Sequence, residues 1–168
     1  MRTLKDKRAV SPVIATVILV AVAITVAVAV AYWMGGIAGM YTKFEKVEIQ
    51  SAYAPLNTTA SSDYSSSNGG WNITLCLKNT GSAEATLINA YVNNKPIDTY
   101  SPPITWYYTD DEHPTLTSIP EDGVSIGSGE EITIYLLVDR TLFSSGTTLN
   151  VKLHSAGGMD YIKLVELT

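Results

Sequence analysis

Few residues in this 168-residue sequence have the chemistry or spacing to react or to bind an ion. The densest group is Asp110-Asp111-Glu112-His113, three carboxylates and an imidazole of the kind that hold a hard cation. Adjacent acids in a loop are equally well read as a solvated charge run. His154, the other histidine, is far away in sequence and has no ligand spacing to His113. Cys76 is the only cysteine, so no intrachain disulfide can form and the thiol reads as a small residue within a strand. No phosphate-cradling glycine loop, paired-cysteine pattern or nucleophile elbow occurs. The expectation is therefore a protein that is not an enzyme, with no catalytic residue, cofactor or metal.

Two triplets carry a different chemistry. Asn57-Thr58-Thr59 and Asn72-Ile73-Thr74 are acceptor patterns for N-linked sugar, provided that they lie outside the cell. Chance also generates such triplets. Asn57 stands in a Ser/Thr-rich stretch, whereas Asn72 alternates with Ile73 on a strand and so points away from the core. Ser61, Ser62 and Ser65 to Ser67 form a low-complexity run suited to O-linked sugar or to a loop.

What must position these residues is set by the first quarter of the chain. From Ala9 to Thr42 there is no charged side chain, and Val13 to Ala31 is almost wholly Val, Ile, Ala and Leu. A hydrocarbon core of ~30 Å needs about 20 such residues as a helix. The Val-Ala alternation from Val20 to Val30 mimics a strand, but a lone strand in lipid would leave its backbone groups unpaired, which favours helix. Ser11-Pro12 reads as its start. Arg2, Lys5, Lys7 and Arg8 precede it and predict a cytoplasmic N-terminus with everything after the span outside; Tyr32 and Trp33 fall where an interfacial belt is expected.

Ala15, Ala21, Ala23, Ala27 and Ala31 allow helices to approach closely, and Gly35 and Gly39 have the small-xxx-small spacing of packed helices. Gly35-Gly36 reads either as a flexible or closely packed neck or as a helix end. Met40 to Glu48 fits either a continued helix or a first strand.

The stretch Lys7-Arg8-Ala9-Val10-Ser11-Pro12-Val13-Ile14-Ala15-Thr16-Val17-Ile18-Leu19 closely resembles the start of archaeal type IV pilins. That resemblance implies a basic leader removed by a prepilin peptidase. Arg8 and Ala9 match the family's basic-then-small pair, so the cut would fall between Ala9 and Val10 and make Val10 the mature N-terminus; a cut between Arg8 and Ala9 is the alternative. It also implies a homopolymer built with pilus assembly machinery, a membrane-inserted precursor with a cytoplasmic leader, and an extracellular filament supporting adhesion. Bacterial relatives carry a Glu where Ile14 stands, so assembly here cannot use that carboxylate. Archaeal swimming-filament subunits share the plan but open with a Gly-rich pattern that this chain lacks.

Beyond residue 45, short β-branched and aromatic runs recur between turn signals. Trp71, Ile73, Leu75 and Leu77 share one strand face; Asn79-Thr80-Gly81-Ser82 turns into a strand over Ala85 to Val92. That hairpin resembles those of immunoglobulin-like pilin heads. Glu131 to Val138, Leu149 to His154 and Tyr161 to Leu167 read as further strands, giving about seven. Thr99 to Pro120, rich in Pro and Tyr, reads as a long loop or distorted edge.

The predicted class is α+β: leader 1–9, hydrophobic helix and neck 10–44, and an immunoglobulin-like all-β sandwich head 45–168. A net charge of −5 argues against a nucleic-acid partner. The competing reading is a single-pass, membrane-anchored binding module that stays in lipid.

Overall fold

A run with no charge and no strong helix breaker after its first turn can close every backbone hydrogen bond only by coiling on itself. Val10–Tyr41 does so as one 32-residue α-helix, α1. The computed structural model describes residues 10–57 and 69–168. Pro12 lies in the first helical turn, where a missing N–H has no intrahelical acceptor to disappoint. The helix begins one residue before Ser11, and it runs through Gly35, Gly36 and Gly39, so the glycines do not end it. The chain divides after Lys43 into two compact units.

Among the described residues, the regular structure of the second unit is all β apart from one 3-10 turn, Ile97–Thr99. One sheet contains β1 (Val47–Tyr53), β2 (Leu56–Asn57), β3 (Gly70–Asn79), β6 (Thr105–Thr109), β7 (Thr117–Ser118) and β9 (Glu131–Asp139). Its strand order is β1-β3-β9-β6-β7, with β2 also on β3. The other contains β4 (Ala85–Val92), β5 (Lys95–Pro96), β8 (Val124–Ile126), β10 (Thr148–Ser155) and β11 (Asp160–Glu166). Its order is β11-β10-β4-β5, with β8 also on β4. All of these pairings are antiparallel.

The core follows from period-2 alternation. Trp71, Ile73, Leu75 and Leu77 of β3 lie beside Val138, Leu136, Ile134 and Ile132 of β9, and all eight are buried. Leu87 and Val92 of β4, with Leu149, Val151 and Leu153 of β10, complete the core from the opposite sheet. The Trp71 indole donates to the Phe143 carbonyl at 3.2 Å, which removes the penalty of burying its N–H. On one side the two sheets meet in a parallel bridge between Ala54 and Leu167, which sets β1 and β11 side by side.

The fold is therefore α+β, a long apolar helix followed by a two-sheet antiparallel sandwich, as the sequence predicts. Two details differ. Of the two readings of Thr99 to Pro120, the long loop fails and the distorted edge holds: β6 pairs with β9 over five residues and carries β7 at the sheet edge. Eleven strands are present among the described residues instead of about seven, because four of them are only two or three residues long.

Candidate functional site

Three features that sequence reading singles out can be followed to their places. The first is α1 itself. Pro12–Tyr41 is long and apolar enough to cross a membrane. At 1.5 Å per residue its 30 residues extend for about 45 Å. Its two central hydroxyls are absorbed locally: Thr16 Oγ1 donates to the Val13 carbonyl and Thr25 Oγ1 to the Ala21 carbonyl, each at 2.8 Å. A threonine bonded in this way presents its methyl to the surroundings.

On this helix Ala23, Ala27, Ala31, Gly35 and Gly39 follow one another at intervals of four and so form a single ridge of small residues. Ala21 shares the angular position of Gly39 but stands about 27 Å from it along the axis, on the side opposite Ala23, and Ala15 lies on another side. Apart from the helix's own neighbouring backbone, nothing comes within 4 Å of where a Cβ would stand on Gly35, Gly36 or Gly39. Large apolar side chains, including Val13, Leu19, Ile24, Val28 and Trp33, are at least half exposed around every side of the helix. Arg8 and Ala9 of the proposed cleavage motif lie outside the described residues; Val10 is the first residue of α1.

The second feature is the acidic loop. The Asp110 carboxylate accepts from the backbone N–H groups of Glu112 at 3.0 Å and His113 at 2.5 Å, and contacts His113 Nδ1 at 3.0 Å. The Asp110 N–H donates to the His113 carbonyl at 3.1 Å. Burial raises the Asp110 pKa, but the hydrogen bonds from His113, its charge and the Glu112 N–H outweigh that effect and leave it below the usual carboxylate range. The group is a self-satisfied turn in which Asp111 and Glu112 point to solvent. Among the described residues no three His, Cys, Asp or Glu side chains are placed to hold a metal. His154 is elsewhere, with Nδ1 at 2.6 Å from Asp160.

The third feature is the pair of acceptor asparagines. Asn57 is exposed at the end of β2; Thr58 and Thr59 lie outside the described residues. Asn72 is half-buried on the outward side of β3, with its Oδ1 buried and lacking a hydrogen-bond partner, and Thr74, the third residue of its triplet, is 3% exposed. Cys76 is a half-buried free thiol, with the Thr133 hydroxyl 4.0 Å from its sulfur.

What sequence reading missed is how the head grips its first residues. The Phe44 carbonyl accepts from the Ser82 and Ala83 N–H groups, both at 3.0 Å, and the Phe44 N–H donates to Ser82 Oγ at 3.1 Å. The Lys46 carbonyl accepts from Thr80 at 2.8 Å and Gly81 at 3.1 Å. Gly81 is required here because a Cβ would stand 2.5 Å from the Phe44 carbonyl oxygen. Asn79, fully buried, orders the turn: its Nδ2 donates to the Ala83 and Ile126 carbonyls and its Oδ1 accepts from Gly81 N–H. The Tyr161 hydroxyl adds a bond to Glu45 at 3.0 Å. Burial, then the Glu45 hydrogen bond and charge, push the Tyr161 pKa up to about 12. The signal available in sequence was an Asn-Thr-Gly turn, which marks a bend but not its partner 34 residues earlier.

No protein-family model matches the sequence, and no curated protein does. Among solved structures, the chain is similar to a flagellar-like filament, Iho670, at 13% identity over 94% of this chain and 99% of that one, with a TM-score of 0.40. It is also similar to the archaellum periplasmic stator protein FlaG from Sulfolobus acidocaldarius, at 11% identity over 72% and 99%, with a TM-score of 0.35. A lipoprotein from Bacteroides thetaiotaomicron matches at 12% identity over 74% and 78%, also with a TM-score of 0.35.

Proposed function

We propose that the chain is the structural subunit of an extracellular filament, assembled by packing α1 against the same helix of other copies and displaying the β-sandwich outside. The observation that carries this reading is the surface of α1: charge-free and apolar on every side. Left in water, a helix of that size is unfavourable by tens of kcal/mol at ~25 cal/mol per Å². It has two ways to avoid water, lipid or copies of itself. The ridge from Ala23 to Gly39 favours the second at the moment of assembly, since small residues let helix axes approach.

In this reading the precursor sits in the membrane with residues 1–9 in the cytoplasm, a prepilin peptidase cuts between Ala9 and Val10, and dedicated machinery extracts the helix into the fibre. The head then serves attachment to surfaces or to other cells, with Asn57 as the more accessible sugar acceptor because Thr74 of the other triplet is buried. The chemistry throughout is packing and display.

The test is to shear appendages from cells producing the full chain and to probe them with an antibody against the head. Thin fibres labelled along their length are the expected result. Recovery of the chain only as a detergent-soluble monomer would establish instead a membrane-anchored module. Mass spectrometry of the fibre subunit should find an N-terminal peptide that begins at Val10; one beginning at Met1 would remove the processing step.

A further inference from the structure

The strand β11 reverses the expected pattern. Val165 faces the core, and so does Leu167 just beyond the strand, yet Ile162 and Leu164 occupy the opposite phase and are 56% and 64% exposed. In register they stand beside Lys152 and Asn150 of β10, on the outer side of the sheet. Large apolar side chains at alternate outward positions of an edge strand serve no purpose in the isolated head and expose it to nonspecific pairing.

They also do not stand alone. Phe44, Tyr53, Leu116 and Met159 are the other large apolar head residues with about half of their surface exposed. All but Leu116 lie on β1 or on the residues leading into β1 and β11. The Tyr161–Glu45 hydrogen bond holds the residues around Phe44 against the start of β11, and Met159 directly precedes that strand. The exposed apolar surface of the head is thus gathered along the β1/β11 side, where the two sheets meet.

We infer that this stripe, centred on Ile162 and Leu164, seats α1 of a second copy in the filament. The inference rests on the proposed function and names the surface that completes it. A helix with a single apolar face could be satisfied within a bundle of its own kind. The apolar residues of α1 are spread over all sides, so each helix at the periphery of a bundle keeps an outward side that lipid no longer covers. The head is the remaining part of the chain able to cover it, and it must do so with apolar side chains, since α1 offers no charge to pair. Among the described head residues only the β1/β11 side gathers several exposed large apolar residues.

The experiment uses fibres of the full chain. A photo-crosslinking benzoylphenylalanine replaces Leu164, fibres are purified and irradiated, and the joined peptides are identified by mass spectrometry. Adducts to peptides within residues 10–41 are the expected result; adducts confined to head peptides, or none, would overturn the inference. In parallel, Ile162→Thr with Leu164→Thr keeps the strand propensity while removing the apolar surface. It should lower fibre yield at least tenfold with an unchanged circular dichroism spectrum of the head, whereas Leu116→Thr should leave the yield unchanged. Wild-type yield from the double variant would contradict the proposal while leaving the filament reading intact; no fibres from the unmodified chain would remove both.

Discussion

At the scale of single residues the decisive positions in the head are polar, not apolar. Asn79 satisfies two carbonyls and one N–H at a buried turn, and no other residue type supplies both donors and an acceptor at that length. Asn79→Asp retains the oxygen that meets Gly81 N–H but turns a second oxygen toward the Ala83 and Ile126 carbonyls. It should lower head stability by about 2–4 kcal/mol, similar to Asn79→Ala, as read from chemical denaturation. A small loss for the Asp variant would show that the turn does not depend on the amide. Tyr161 gives a pH signature. Its folded pKa lies near 12, above the ordinary value of 10.0, so the stability it contributes is present below pH 10 and is lost as pH rises toward 12. Tyr161→Phe should be less stable than wild type by about 1 kcal/mol at pH 8. That difference should close between pH 10 and 12 in parallel melts; a constant difference would mean that the hydroxyl does not keep its proton in the folded head.

At the scale of elements, α1 makes the sharpest claim. Ala23→Leu with Ala27→Leu keeps the helix apolar and long enough to span a bilayer but raises the small-residue ridge by two large side chains. Membrane insertion should be unchanged in a carbonate-extraction assay while fibre yield falls at least tenfold; normal fibres would show that helices do not approach along that ridge. The helix was legible because length and absence of charge leave only one backbone solution in lipid. Strands β3, β9 and β10 were legible because apolar and polar residues alternate cleanly, as in Trp71, Ile73, Leu75 and Leu77. Strand β6 was not, because Thr105–Thr109 mixes Thr, Trp and Tyr, which suit either side of a sheet; only pairing with β9 buries Tyr108 and leaves Tyr107 facing outward. Strand β11 misleads in another way, since its alternation is real but Ile162 and Leu164 are on the wrong side for a lone domain. The contacts of Phe44 and Lys46 with residues 80–83 were invisible because most of them join backbone groups, which carry no sequence signature.

At the scale of the molecule, the two units have opposite relations to water. The head buries a core of its own between two hydrogen-bonded sheets. The helix is charge-free and apolar on every side, so it needs a nonaqueous surrounding. In the proposed function, copies of the same chain supply that surrounding outside the membrane. The most direct test of the account is a helical reconstruction of the purified fibre by electron cryo-microscopy. It should show the residue 10–41 helices packed side by side about the axis, with the ridge from Ala23 to Gly39 at their closest approach and the sandwiches outside; helices separated from one another by solvent, or missing from the fibre, would contradict it.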